Sequence, residues 1–331
     1  MPDRALVEQL DQAIDRMLSG ATPAAGGDTA LVGLTQIAGA LRHLPQEDFK
    51  TRLKTELQRR ASMSSSQTID PSVSAGEVFR TVTPFLIHAK APELVDFMKS
   101  TFGAEELKRN TGGDPDGFYS EVRIGDTVIM IGGGSAARRG NLPAALHVYV
   151  PDCDAAYRRA LEAGAVTLMG ERGEPADRPY GERSAFVEDA FGNYWYIATR
   201  LASALGLENR PQEGLGTVLP FVHPEGARKY IDFLKRAFGA EEMEVIEHGG
   251  RVMHAAVRIG NAVLEMGEAE DRAGIPSNGF FLFVEDVEAA YARALAAGAT
   301  AIRPPSDIPY GLRSAIVRDP SGYLWWPARW I

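Results

Sequence analysis

A single cysteine, Cys153, excludes an internal disulfide framework and a cysteine-rich metal site in this chain of 331 residues. Such scarcity suits a reducing compartment, and the expected location is cytoplasmic. Long apolar runs are also missing: the longest are broken by glycine or charge, so no segment is expected to span a bilayer and no membrane partner is expected. The N-terminus, MPDRALVEQLDQAIDRM, is charged and amphipathic and lacks the apolar core and small-residue cleavage site of a signal peptide. Nor is there a surplus of basic residues. Lys and Arg total 35 against 44 Asp and Glu, a net charge of −9, and the cations are scattered. Phosphate binding needs a dense basic stripe, so a nucleic-acid partner is not expected.

What the chain has instead is repetition. TVTPFLIHAKAPELVDFMKSTFGAEEL (81–107) returns as TVLPFVHPEGARKYIDFLKRAFGAEEM (217–243), and EVRIGDTVIMIG (121–132) as AVRIGNAVLEMG (256–267). VYVPDCDAAYRRALEAGA (148–165) returns as LFVEDVEAAYARALAAGA (282–299), and PYGERSAFVEDAFGNYWYIA (179–198) as PYGLRSAIVRDPSGYLWWPA (309–328). The blocks keep their order, which gives a first domain over 79–201, a linker over 202–214 and a second domain over 215–331.

Within each copy, Thr81–Ile87 and Thr217–His223 alternate and are β-branched or aromatic, as strands are. Leu94, Phe97, Met98 and Phe102, and likewise Ile231, Phe233, Leu234 and Phe238, recur at helical spacing and stop at Gly103 and Gly239. Gly125-Asp126 and Gly260-Asn261 are two-residue hairpin turns. A second strand–helix–strands unit begins at His147 or Phe281, its helix N-capped by Asp152 or Asp286. The fold class expected is α+β, with βαβββ units in two tandem domains.

That order, with the FGAEE, RIG and DxxG blocks, resembles two full domains of the vicinal oxygen chelate superfamily of glyoxalases, bleomycin-resistance proteins and dioxygenases. The resemblance implies a curled mixed sheet around a ligand cavity. It also implies metal ligands early in the opening strand, at the opening of the second unit and in the final strand. Those positions hold Thr83, Ala145 and Tyr196 in the first copy and Leu219, Gly279 and Trp326 in the second. None is a usual ligand, and no exchange of units between copies changes this. Neither metal nor other cofactor is expected.

Strand alternation turns Tyr119, Glu121 and Arg123 inward in the first copy, and His254 and Arg258 in the second, with His223 on the inward face of its own strand. Pairing across the Gly260-Asn261 turn sets Glu265 opposite Ala256, so His223, His254, Glu265 and Arg258 can converge. The plainer reading is a structural Glu265–Arg258 pair; the sharper one is an acid–base or atypical-metal site with His254, Glu265 and His223 as catalytic candidates. Phe85, Tyr119, His147, Tyr149, Tyr196, Phe221, Phe281, Phe283 and Trp326 make up an aromatic lining suited to planar ligands. The arginines of the repeated PYGxRSA, Arg183 and Arg313, either hold an anionic ligand group or pin the loop.

Residues 1–62 carry three short amphipathic segments and are expected to be helical, joined by a Ser-rich linker over 63–78. Three readings follow. The first is a metal-free small-molecule-binding protein that sequesters a planar or hydrophobic ligand. The second is an enzyme, lyase, isomerase or dioxygenase-like, using His254, Glu265 and His223. The third is a scaffold for the N-terminal helices, through which further self-association is expected. The two repeats are expected to form an internal pseudo-dimer.

Overall fold

The computed structural model describes residues 79–111, 114–201, 215–270, 274–308 and 311–331. The helices expected within 1–62 and both linkers lie outside the described residues. The first copy contains β1 (Val82–Ile87), α1 (Ala91–Phe102), β2 (Glu105–Asn110), β3 (Gly117–Ile124) and β4 (Thr127–Gly134), followed by β5 (Ala145–Tyr149), α2 (Cys153–Glu162), β6 (Val166–Thr167), β7 (Ala176–Arg178), β8 (Glu182–Glu188) and β9 (Tyr194–Arg200). The second contains β10 (Val218–Val222), α3 (Ala227–Phe238), β11 (Glu241–His248), β12 (Arg251–Ile259) and β13 (Ala262–Met266). It continues with β14 (Gly279–Phe283), α4 (Val287–Ala297), β15 (Thr300–Ile308), β16 (Leu312–Arg318) and β17 (Leu324–Trp330).

Helix boundaries follow local chemistry. The Asp152 and Asp286 side chains each accept from the backbone N–H three residues on, at 2.9 Å, which satisfies a donor the first helical turn cannot use. At the other ends of α1 and α3, Gly103 and Gly239 adopt φ of 67° and 69°, and Lys99 or Lys235 lies in the last turn.

The sheets do not follow the copies. One runs β15-β16-β17-β14-β1-β4-β3-β2; the other runs β11-β12-β13-β10-β5-β9-β8-β6, with β7 beside β8. Each sheet therefore joins the first unit of one copy to the second unit of the other. The seams are antiparallel: Val82 stands opposite Leu282 across β1–β14, and Leu219 opposite His147 across β10–β5. The apolar cores remain largely within copies. Leu94, Phe97 and Met98 of α1 share a buried cluster with Cys153 and Ala156 of α2 and with Trp195, while α3 and α4 bury Trp325 and Tyr323. Copies thus own the cores, and pairs of half-copies own the concave faces.

Two hairpin turns fasten the seams. Asp126 accepts from the Thr217 backbone N–H at 2.7 Å, and Asn261 accepts from that of Thr81 at 2.7 Å. Arg80 reaches both turns, donating to Asp126 Oδ2 at 2.8 Å and to the Asn261 carbonyl at 3.0 Å. Gly260 has φ of 58°, and a Cβ there would stand 2.2 Å from Thr81 Oγ1. Gly260→Ala is expected to lower stability by about 1–3 kcal/mol, read by denaturant melts, because it combines left-handed strain with a clash at the seam.

Candidate functional site

Alternation on the central strands builds two cavities of similar size. The first, about 510 Å³, is lined by Phe85, Tyr119, Glu121 and Met130 of the first copy and by Phe281, Arg303, Leu312, Trp326 and Trp330 of the second. The second, about 540 Å³, takes His147, Tyr149, Glu182, Phe186 and Tyr196 from the first copy and Phe221, His223, His254 and Glu265 from the second. Grouping the expected lining by copy therefore needs correction, because each cavity is walled by both.

Aromatic packing dominates the first cavity. Trp326 stacks on Phe281 with ring centroids 5.8 Å apart and meets Phe85 edge-on at 5.3 Å. Glu121 is buried there, but it accepts from the Tyr119 hydroxyl at 3.0 Å and lies 3.5 Å from Lys108 Nζ. Burial, and then the Glu121 charge, push the Tyr119 phenol well above its ordinary range, so it stays a neutral donor.

Titratable groups are concentrated in the second cavity. His147 Nδ1 donates to Glu265 Oε2 at 2.7 Å, and its other nitrogen, Nε2, lies 3.7 Å from Glu182 Oε2. All three side chains are buried. Burial alone would lower the His147 pKa, but the charge and hydrogen bond of Glu265, with Glu182 behind them, raise it above the ordinary value. The arrangement is a buried imidazole ring between two glutamate side chains. Glu182 also accepts from Tyr149 at 2.9 Å, Tyr196 and His223 Nε2 are hydrogen-bonded at 2.6 Å, and His254 Nε2 lies 3.8 Å from Glu265 Oε1.

His223, His254 and Glu265 thus line one cavity, as alternation places them. Arg258 does not: it sits one residue from the hairpin-turn end of β12, opposite Glu241 and Val263. Arg123 is turned aside by an ion pair with Glu105 on the neighbouring strand. Phe283 lies behind the first cavity, stacked on Trp330 at 6.1 Å and packed against Phe79. Arg183 and Arg313 pin their loops, the first on Asp154 and Asp177, the second on Glu288 and Asp307. Cys153 is buried, and burial with the Asp154 charge pushes its thiol up to about 12.

Sequence reasoning missed three residues: Glu182, Arg303 and the role of His147 as partner of Glu265. A signal existed for Glu182, an acid on the inward face of its strand whose counterpart in the second copy is Leu312. The His147–Glu265 pair had none, because its members lie in different copies.

A metal of the kind this architecture can carry needs three or more oxygen or imidazole donors aimed at one point. Of the six positions expected to hold ligands, only Tyr196 and Trp326 line a cavity. In the second cavity the strongest donors, His147 and Glu265, are bonded to one another. Among the described residues no group of three His, Cys, Asp or Glu is arranged to hold a metal ion. The donor set does not fit one.

Comparison with known proteins places this geometry. The family model described as Glyoxalase/Bleomycin resistance protein/Dioxygenase superfamily matches residues 83–197 and 225–326. An uncharacterized protein of Mycobacterium bovis is 32% identical over 126 residues, covering 35% of this chain and 80% of its own length. A counterpart in Mycobacterium tuberculosis, also uncharacterized, has the same identity and spans 72% of its length. The crystal structure of glyoxalase I from Zea mays superposes with a TM-score of 0.57 at 13% identity, over 74% of this chain and 90% of that one. At that identity the likeness is one of fold.

Proposed function

The chain belongs to the glyoxalase/bleomycin resistance protein/dioxygenase superfamily, and from that premise we propose that it is a metal-free small-molecule-binding protein. It holds planar or hydrophobic ligands in its aromatic-lined cavities. The observation that carries this reading is the pair of cavities of about 510 and 540 Å³, each within the range of small-molecule sites and each walled by aromatic rings. Polar handles are set among those rings, Glu121 and Arg303 in the first cavity and His147, Glu182 and Glu265 in the second.

The test uses tryptophan as its own reporter. Trp195 and Trp325 are fully buried under the helices, whereas Trp326 and Trp330 line the first cavity. A planar ligand entering there is expected to quench tryptophan emission and raise the melting temperature by mass action. Trp326→Ala is expected to weaken binding about tenfold or more while the fold survives, since it removes a stacking surface from a cavity wall. If no planar compound shifts the melting point and Trp326→Ala unfolds the chain, the residue is core and the binding reading fails.

A second reading, an enzyme, is favoured by one observation: the buried imidazole of His147 held between Glu265 and Glu182. Such a group can accept or release a proton at Nε2 while Glu265 fixes Nδ1–H, as a general acid or base does. His254 and His223 border the same space. Turnover of any α-proton-bearing carbonyl compound, abolished by His147→Phe, would move this reading ahead.

A further inference from the structure

The two cavities differ most where their charges lie. In the second, Glu182, Glu265 and Glu268 face the ligand space together with His147. The first has Leu312 where Glu182 stands, Phe281 for His147 and Met130 for Glu265. It gains a cation instead. Met169, four residues beyond the repeated AGA, corresponds to Arg303, and Arg200 corresponds to Trp330.

Arg303 and Trp330 carry the anomaly. Nε and Nη2 of Arg303 and Nε1 of Trp330 are all withdrawn from solvent, and none has a hydrogen-bond acceptor among the described residues. Buried donors are almost always satisfied, so three unsatisfied N–H groups on two residues that line one cavity call for an acceptor the described residues do not supply. The other ionic groups there are matched, Glu121 by Lys108 and by the Tyr119 hydroxyl. Arg303 therefore leaves the cavity one positive charge in excess. Burial, and then the charge of Arg139, lower its pKa, which is the sign of a cation held without its counter-ion.

The identity of the unsatisfied atoms narrows the ligand. Nε–H and one N–H of Nη2 point the same way on the guanidinium edge and together match the two oxygens of a carboxylate. An indole N–H is a donor only and needs an acceptor as well. Phe85, Phe281 and Trp326, packed against one another, supply an apolar aromatic wall of the same cavity. We propose that the first cavity is a site for a planar aromatic acid, its carboxylate held by Arg303 and Trp330 and its ring by Phe281 and Trp326. This rests on the binding reading above and adds the chemical class. It also assigns the two cavities different ligands, since the carboxylates of the second repel an acid.

Matched probes test it in the full chain: 2-naphthoate and its neutral isostere 2-naphthamide, titrated by calorimetry at pH 7.5. Naphthoate is expected to bind about tenfold or more tightly than the amide, the difference a charge-assisted bidentate contact supplies. Arg303→Met, which installs the residue of the other cavity, is expected to erase that preference and leave amide affinity within about twofold. Glu182→Gln is expected to change neither. As a readout independent of any variant's folding, the Trp330 indole N–H resonance is expected to move further downfield with naphthoate than with the amide, whose carbonyl is the weaker acceptor. Equal affinity of the two probes, or a preference that survives Arg303→Met, overturns this inference alone and leaves the binding reading in place. Saturable binding of neither probe overturns both.

Discussion

Expressed alone, residues 215–331 are expected to form a dimer or an aggregate, and not a stable monomer. In the intact chain β10 lies against β5 and β14 against β1, both from the first copy. Removing that copy strips partners from two central strands and leaves their backbone N–H and C=O groups open along apolar edges. The core of α3 and α4 is largely retained, so the fragment keeps enough structure to seek a replacement. The nearest replacement is another copy of itself, because the repeats present similar edges and a two-fold pairing is self-complementary. Size-exclusion chromatography with light scattering decides the matter. A monodisperse monomer melting near the temperature of the full chain would sink the prediction.

Glu265→Ala is expected to destabilise the protein by about 3–5 kcal/mol in mild acid, where it leaves a buried, protonated His147 without its hydrogen-bonded partner. The loss depends on pH in a definite direction. His147 is raised above its ordinary value, so the pair contributes fully below the unfolded pKa of about 6.5. That contribution disappears as pH rises through the folded value. Denaturant melts of wild type and variant should therefore diverge most in mild acid and converge in alkali. The double variant His147→Phe/Glu265→Met, which copies Phe281 and Met130 of the other cavity, is expected to recover most of the stability. It should not recover any function of the second cavity. Stability of the double variant as low as that of Glu265→Ala would mean the pair is irreplaceable for packing.

Local order was legible in the sequence because it depends on near neighbours. The Asp152 and Asp286 caps, the terminating Gly103 and Gly239 and the Gly125 and Gly260 turns are each set by residues a few positions apart. Period-two alternation likewise accounts for the burial of Trp195 and Trp325, which point away from the neighbouring cavity residues Tyr196 and Trp326. Which half-copy pairs with which was not legible, since β1 shows the same alternation whether its neighbour is β5 or β14. The site inherited that ambiguity. Glu265 was readable as facing inward, but its partner was sought among His223, His254 and Arg258 of its own copy and is His147 of the other. Arg123 and Arg258 show a second limit: alternation gives the face of a strand but not how far along it a cavity extends, nor whether a cross-strand carboxylate takes the side chain first.

The pairing of Val82 with Leu282 also sets an order of events during synthesis. When β1 leaves the ribosome it can meet β4, but its other edge waits until more than half of the second copy has been made. The second cavity closes earlier, since β5 needs only β10 and its neighbours. Contacts so distant along the chain delay folding, because loop closure precedes any gain from the strands. Through that interval the β1 edge and the aromatic face behind it stay open, which makes the nascent first half the stretch most dependent on chaperones.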